Sequence, residues 1–255
     1  DIDWDYSGNV YAYGGSAPYE LIKLNNAGIM QWVYSSTVFD TTDYGDFAVD
    51  RNTGNAYLCE GFSLDSLGAR VVKINSMGIQ TGLFPGNSLL GEIWRIAFNS
   101  CTQKGVLGCG LHVYEACIFD TNLTLVLPKI DSLNFMLDIA LLALDDSNCY
   151  MASCFDATPA FNVVIKYPLS SLVPAYRVED GFEFWERAGN TYNLANGLNG
   201  MAKSDRYLYV YDGARLGKFD PSSGAMIKMV PVSPDTFMCS GIAVDACDNV
   251  FLGTL

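Results

Sequence analysis

The sequence predicts an all-β chain built as a β-propeller of four-stranded antiparallel blades, about six of them visible and the last incomplete. Three observations predict it. A motif recurs along the whole length at about 40 to 50 residues, the period of propeller blades and solenoids. Apolar residues alternate at period two inside the motif, as in VYAY, AYLC and YLYV, which excludes helical repeats. Gly, Asn and Asp punctuate the alternating stretches, as turns between short strands require.

Each unit opens on a short apolar strand ending in an acidic or amide anchor, then a turn, then an alternating strand. The openings are Ile2-Asp3-Trp4-Asp5 with GNVYAY, Phe47-Ala48-Val49-Asp50 with GNAYLC, Ile96-Ala97-Phe98-Asn99 with KGVLGC, Leu142-Ala143-Leu144-Asp145 with SNCYMA, Met201-Ala202 through Asp205 with RYLYVY, and Ile242-Ala243-Val244-Asp245 with DNVFLG. Anchors at 5, 50, 99, 145, 205 and 245 lie 45, 49, 46, 60 and 40 residues apart. The repeated anchor is assigned to the turn itself, because Asp and Asn side chains cap tight turns by accepting from the backbone two residues on.

The second half of each of the first five units is a strand with a polar or proline end: ELIKLN, RVVKIN, EACIFD, VVIKYP and RLGKFD, closing at 25, 75, 120, 168 and 220. From these ends to the next anchor the distances are 25, 24, 25, 37 and 25, whereas inside a unit they vary as 20, 25, 21, 23 and 15. The variable loop therefore joins the second and third strands. Residues 1–255 are expected to form one propeller domain, with blade six two strands short at Leu255. An open apolar sheet edge is an aggregation hazard, so the polypeptide is expected to continue as part of a longer chain or, failing that, to be covered by a partner. A 255-residue fragment alone is expected to be poorly soluble or oligomeric.

The 15 Lys and Arg against 28 Asp and Glu give a formal charge of -13, which repels nucleic-acid phosphates and anionic lipid, so neither nucleic acid nor direct membrane insertion is expected. Apolar runs such as Ile139 to Leu144 fall far short of the roughly 20 residues of a membrane helix. Eight cysteines, an even count, favour an oxidising compartment.

The units CSGIAVDACDNVFLGTL and DIDWDYSGNVYAYGG, with the returning IKLN and VKIN strands, resemble the divergent propeller repeats of large Bacteroidetes cell-surface proteins, the gliding-motility-associated architectures exported by type IX secretion. More loosely they resemble NHL-type and SBBP-type propellers. The resemblance implies an exported surface or adhesion role and carries over no active site.

Chemistry-bearing residues are sparse. His112 is the single histidine, in Gly110-Leu111-His112-Val113, and no Gly-x-Ser-x-Gly elbow accompanies any serine, which argues against a His-dependent hydrolase. Cys109, His112 and Cys117, with Cys101 nearby, lack the tight ligand pair of a zinc site. Cys59, Cys109 and Cys154 recur 9, 10 and 9 residues after their anchors, at the end of the second strand, and Cys101 and Cys247 fall two residues after theirs. With Cys149 and Cys239 these are read as structural cysteines, buried or bridged, whose pairing spacing does not reveal. Asp1, Asp3 and Asp5, and Asp245 with Asp248, lack the spacing of an EF-hand and are read as turn caps. No cofactor or metal is expected.

One segment breaks the period, the insertion from Glu179 to Asn199. Its Phe182, Phe184, Trp185, Glu186, Arg187 and Tyr192 mix aromatics with charge as recognition surfaces do. The competing reading is that Phe184 and Trp185 fold back as core cover. The preferred function is a non-enzymatic scaffold binding a protein, a glycan or further domains of its own chain, outside the cell or on its surface. The alternative is a propeller enzyme, a glycan-active hydrolase or lyase or a cofactor-dependent oxidoreductase.

Overall fold

The computed structural model describes residues 1–14, 19–35, 46–60, 70–84, 92–110, 116–126, 138–155, 161–170, 176–179, 200–211, 215–232, 242–245 and 247–252. The chain is an all-β propeller of antiparallel four-stranded blades, with no helix among the described residues. It divides into two compact units, Asp1–Leu133 and Asn134–Leu255.

The first unit holds three blades. Blade 1 is β1 (Ile2–Trp4), β2 (Val10–Gly14), β3 (Glu20–Leu24) and β4 (Met30–Ser35), paired in sequence order, and blade 2 repeats this with β5 (Asp46–Asp50), β6 (Asn55–Glu60), β7 (Arg70–Ile74) and β8 (Gln80–Phe84). Blade 3 has β9 (Glu92–Asn99), β10 (Lys104–Gly110) and β11 (Ala116–Asp120), and among the described residues a single bridge, between Phe119 and Leu125, stands on the outer side of β11. In the second unit, blade 4 is β12 (Asp138–Leu144), β13 (Asn148–Phe155), β14 (Phe161–Pro168) and β15 (Tyr176–Glu179). Blade 5 is β16 (Gly200–Lys203), β17 (Leu208–Tyr211), β18 (Arg215–Phe219) and β19 (Met226–Pro231), and blade 6 shows β20 (Ile242–Val244) and β21 (Val250–Leu252).

Alternation along each strand sends neighbouring side chains to opposite faces, so every blade has two. Two positions before the anchor, one cross-strand row recurs. It reads Asp3, Tyr11 and Lys23 in blade 1; Ala48, Tyr57 and Lys73 in blade 2; Ala143, Tyr150 and Lys166 in blade 4; and Ala202, Tyr209 and Lys218 in blade 5. Blade 3 replaces it with Ala97, Val106 and Ile118. The other face is aliphatic, as in Phe47, Leu58 and Val72 with Val49, Ala56 and Ile74 of blade 2.

Blades pack by laying the tyrosine face of one on the aliphatic face of the next. Tyr11 and Leu21 of blade 1 bury Phe47, Val49, Leu58 and Val72 of blade 2, and Tyr57 of blade 2 packs against Leu107 and Phe119 of blade 3. In the second unit, Tyr150 and Val164 of blade 4 pack on Leu208, Val210 and Phe219 of blade 5. Gly105 is obligatory here, because a Cβ would come within 2.1 Å of the Phe119 ring. That ring and Phe98 both contact Tyr57, the Phe98 pair stacked at 4.6 Å between centroids.

The anchors stand at the turn after each first strand, with one correction to the sequence frame. In blade 5 the turn is capped by Ser204, one residue before Asp205, because the serine Oγ accepts from the amides of Arg206 and Tyr207 as a carboxylate does elsewhere.

Candidate functional site

Two series of turns decorate one end of the blades: those joining first to second strands, and those joining third to fourth. Both are built on side chains that accept backbone amides. In the first series, Asp5 Oδ1 accepts from Ser7 and Asn9, Asn99 Oδ1 from Cys101 and Thr102, Asp145 Oδ1 from Ser147 and Asn148, and Asp245 Oδ1 from Cys247 and Asn249. In the second, Asn25 accepts from Ala27 and Ile29, Asn75 from Met77 and Ile79, Asp120 from Asn122 and Thr124, and Asp220 from Ser222. The polar ends of the IKLN, VKIN, CIFD and GKFD strands are thus caps like the anchors.

The tyrosine row ties these turns together. The Tyr11 hydroxyl lies 2.9 Å from both Asp5 Oδ2 and the Gly54 carbonyl of the next blade, and in blade 4 Tyr150 donates to Asp145 Oδ2 at 2.7 Å. Burial would raise the Asp5 pKa, but bonds from Asn9 and Tyr11 and the charge of Lys23, 3.7 Å away, hold it below the ordinary carboxylate value. Burial is likewise outweighed at Asp145, by Ser147, Tyr150 and Asn148. Burial first, and then Asp5, pushes the Tyr11 hydroxyl well above its ordinary value. The same face of each lysine reaches the next blade: Lys23 Nζ donates to the Ser76 carbonyl at 3.2 Å, Lys73 to Thr121 at 2.6 Å and Lys166 to Pro221 at 2.8 Å. In all three the acceptor is the residue directly after the cap of a third-to-fourth-strand turn.

These carboxylates are therefore engaged in holding turns and blades. Asp3, read in sequence beside Asp1 and Asp5, accepts the Val49 amide through one oxygen and pairs with Arg51 at 3.1 Å through the other. Asp248 pairs with Arg206. Among the described residues no group of three or more His, Cys, Asp or Glu side chains is arranged to hold a metal. Cys59 and Cys149 are buried free thiols, Cys101 and Cys247 exposed ones, and Cys117 is buried. Cys109 and Cys154 are the last residues but one of β10 and β13, near the end of the second strand where the repeat frame placed them. His112, Cys239 and the insertion residues Phe182, Phe184, Trp185, Glu186, Arg187 and Tyr192 lie outside the described residues.

What sequence reasoning missed is a ridge on the turns. Ile29 in blade 1 and Met77 and Ile79 in blade 2 are large apolar side chains standing exposed on turns whose framework is otherwise polar. The two turns are adjacent, because Trp32 of blade 1 donates its Nε1 to the Ser76 carbonyl at 3.1 Å and fills the space above Gly78. Tyr6, on the first turn of blade 1, is exposed at the same end and donates its amide to the Arg51 carbonyl. The available signal was the fourth position after each cap, isoleucine in both AGIM and MGIQ, where a turn needs no apolar residue.

No protein-family model matches the chain. Nor does any curated protein. Among solved structures the chain is similar to the WD40 domain of Pan2 from Neurospora crassa, with a TM-score of 0.65 over 99% of this chain and 70% of that one, at 12% identity. At that identity the likeness is one of fold, and it is a propeller fold.

Proposed function

We propose that the chain is a non-enzymatic scaffold that binds a protein partner, within an exported cell-surface protein of the type its repeats resemble. The observation that carries the reading is the ridge of Ile29, Met77 and Ile79: large flexible and branched apolar side chains held in water on rigid, capped turns, where they contribute nothing to the core. A partner that covers them gains apolar burial without ordering the scaffold first. Engagement of the acidic caps in turns supports the same reading, since their depressed pKa values suit charge-stabilised structure rather than proton transfer near neutral pH. The aromatic insertion from Glu179 to Asn199 supplies a second contact, with Trp185 as its anchor.

The test compares native protein with the Met77→Asp/Ile79→Asp double variant and with Trp185→Ala, each purified with its partners from the cell envelope and quantified by mass spectrometry. One partner should be depleted about tenfold, equivalent to about 1.4 kcal/mol, with a melting temperature changed only as surface substitutions change it. Full retention of the same partners by both variants, or protection of the protein from protease added to intact cells, would overturn the proposal.

A further inference from the structure

The third-to-fourth-strand turns and outer strands of blades 1 and 2 carry no charge. Asn25 through Ser35 and Asn75 through Phe84 contain no Asp, Glu, Lys or Arg, in a chain that is 17% charged and carries -13 overall. The equivalent segment of blade 5, Asp220 through Pro231, holds Asp220 and Lys228, and that of blade 3 opens on Asp120. Among the described residues β4 and β8 end their sheets. Strands in that position ordinarily carry charged side chains or proline, which deter pairing with other chains.

What these two segments present instead is apolar surface interleaved with neutral hydrogen-bonding groups. Ile29, Met77, Ile79 and Leu83 are exposed, and so are Gln31, Gln80 and Thr81. Gln31 and Thr81 hold the same place in the two blades. In blade 1 Lys23 pairs with Trp32 and Leu24 with Met30, skipping Gln31; in blade 2 Lys73 pairs with Gly82 and Ile74 with Gln80, skipping Thr81. Each is the extra residue of a bulge, whose backbone is left out of the ladder. The patch is rigid across the two blades, because Tyr34 donates its hydroxyl to Gln80 Oε1 at 3.2 Å while Trp32 donates to the Ser76 carbonyl and meets the Tyr11 ring edge-on.

Resting on the reading of the ridge as a contact surface, we propose that this patch seats an extended, uncharged segment of a partner protein, with apolar side chains on Met77 and Ile79 and backbone groups on Gln31, Gln80 and Thr81. A charged segment would lose its hydration here and meet no opposite charge on the two turns or outer strands. Hydrocarbon would leave the glutamine amides and the threonine hydroxyl unpaired, whereas an extended backbone supplies both donors and acceptors. A second copy would bring its own -13 charge against the first, which opposes self-association.

The intact polypeptide, carrying a photoreactive benzoylphenylalanine at Ile79, is irradiated in the cell envelope, and the cross-linked segment is identified by mass spectrometry after pepsin digestion. It should belong to another protein and lack Asp, Glu, Lys and Arg across the contact. Synthesised with blocked ends, that segment should bind the purified chain with a Kd that changes less than about threefold between about 50 and 500 mM NaCl. One Lys or one Asp placed at its centre should each weaken binding at least about fivefold. A cross-linked segment bearing charge, a larger salt effect or a smaller loss with Lys or with Asp would overturn the proposal while leaving Ile79 at a protein contact. Cross-links to lipid or to a second copy, or none at all, would overturn it together with the reading of the ridge.

Discussion

Replacing Tyr11 by Phe removes one oxygen from a fully buried ring and leaves the apolar packing of the blade 1 and blade 2 junction in place. The hydroxyl lies 2.9 Å from a carboxylate oxygen of the buried Asp5 and 2.9 Å from the Gly54 carbonyl. Hydrogen bonds to charged groups contribute about 1.5 to 3 kcal/mol, and the Asp5 oxygen keeps its bond from Asn9 Nδ2 at 2.8 Å, so a loss of about 2 kcal/mol is expected. For a chain of this length that is about 4 to 8 °C of melting temperature by calorimetry. Tyr150→Phe repeats the experiment in the second unit, where the bond to Asp145 is 2.7 Å, and should cost a similar amount. Tyr209→Phe is the control, since the cap of blade 5 is Ser204 and not a carboxylate; it should cost under about 1 kcal/mol. Equal effects at all three tyrosines, or a Tyr11→Phe effect below about 0.5 kcal/mol, would refute the argument that the tyrosine and aspartate pair holds the turn.

Two glycines separate backbone strain from crowding. Gly28→Ala meets nothing within 4 Å at a φ of 75° and should cost about 1 kcal/mol, whereas Gly54→Ala at 70° also brings a Cβ within 2.9 Å of the Tyr11 hydroxyl and 3.0 Å of Asp5. Urea midpoints should therefore fall clearly further for Gly54→Ala. Acid titration followed by circular dichroism should show stability lost as pH falls below about 4. Asp5, Asp145, Asp245 and Asp220, the last held at about 2 by Ser222 and Ser223, all have folded values below 3.8, so what they contribute is present above that value and drains as pH drops through the folded ones. Asp46, raised by burial, opposes this. Tyr11 and Tyr57, both raised by burial, contribute stability that is complete below 10.0 and lost above it, and Tyr11→Phe should shrink that alkaline limb.

Sequence alone determined the all-β class, the blade period and the location of the caps, because turn chemistry is local: an Asp or Asn reaches its own backbone two residues on whatever surrounds it. For the same reason a serine could take over silently at Ser204, since its Oγ satisfies the same amides without an acidic residue to mark it. The two faces of each blade, and the recurrence of Tyr11, Tyr57, Tyr150 and Tyr209 opposite Lys23, Lys73, Lys166 and Lys218, were decided only by register, which depends on pairing between strands far apart in sequence. The turn ridge was invisible for a related reason. Ile29 and Ile79 occupy the position next to β4 and β8 where an apolar residue reads as strand, and only the tertiary structure shows that nothing in the core reaches them.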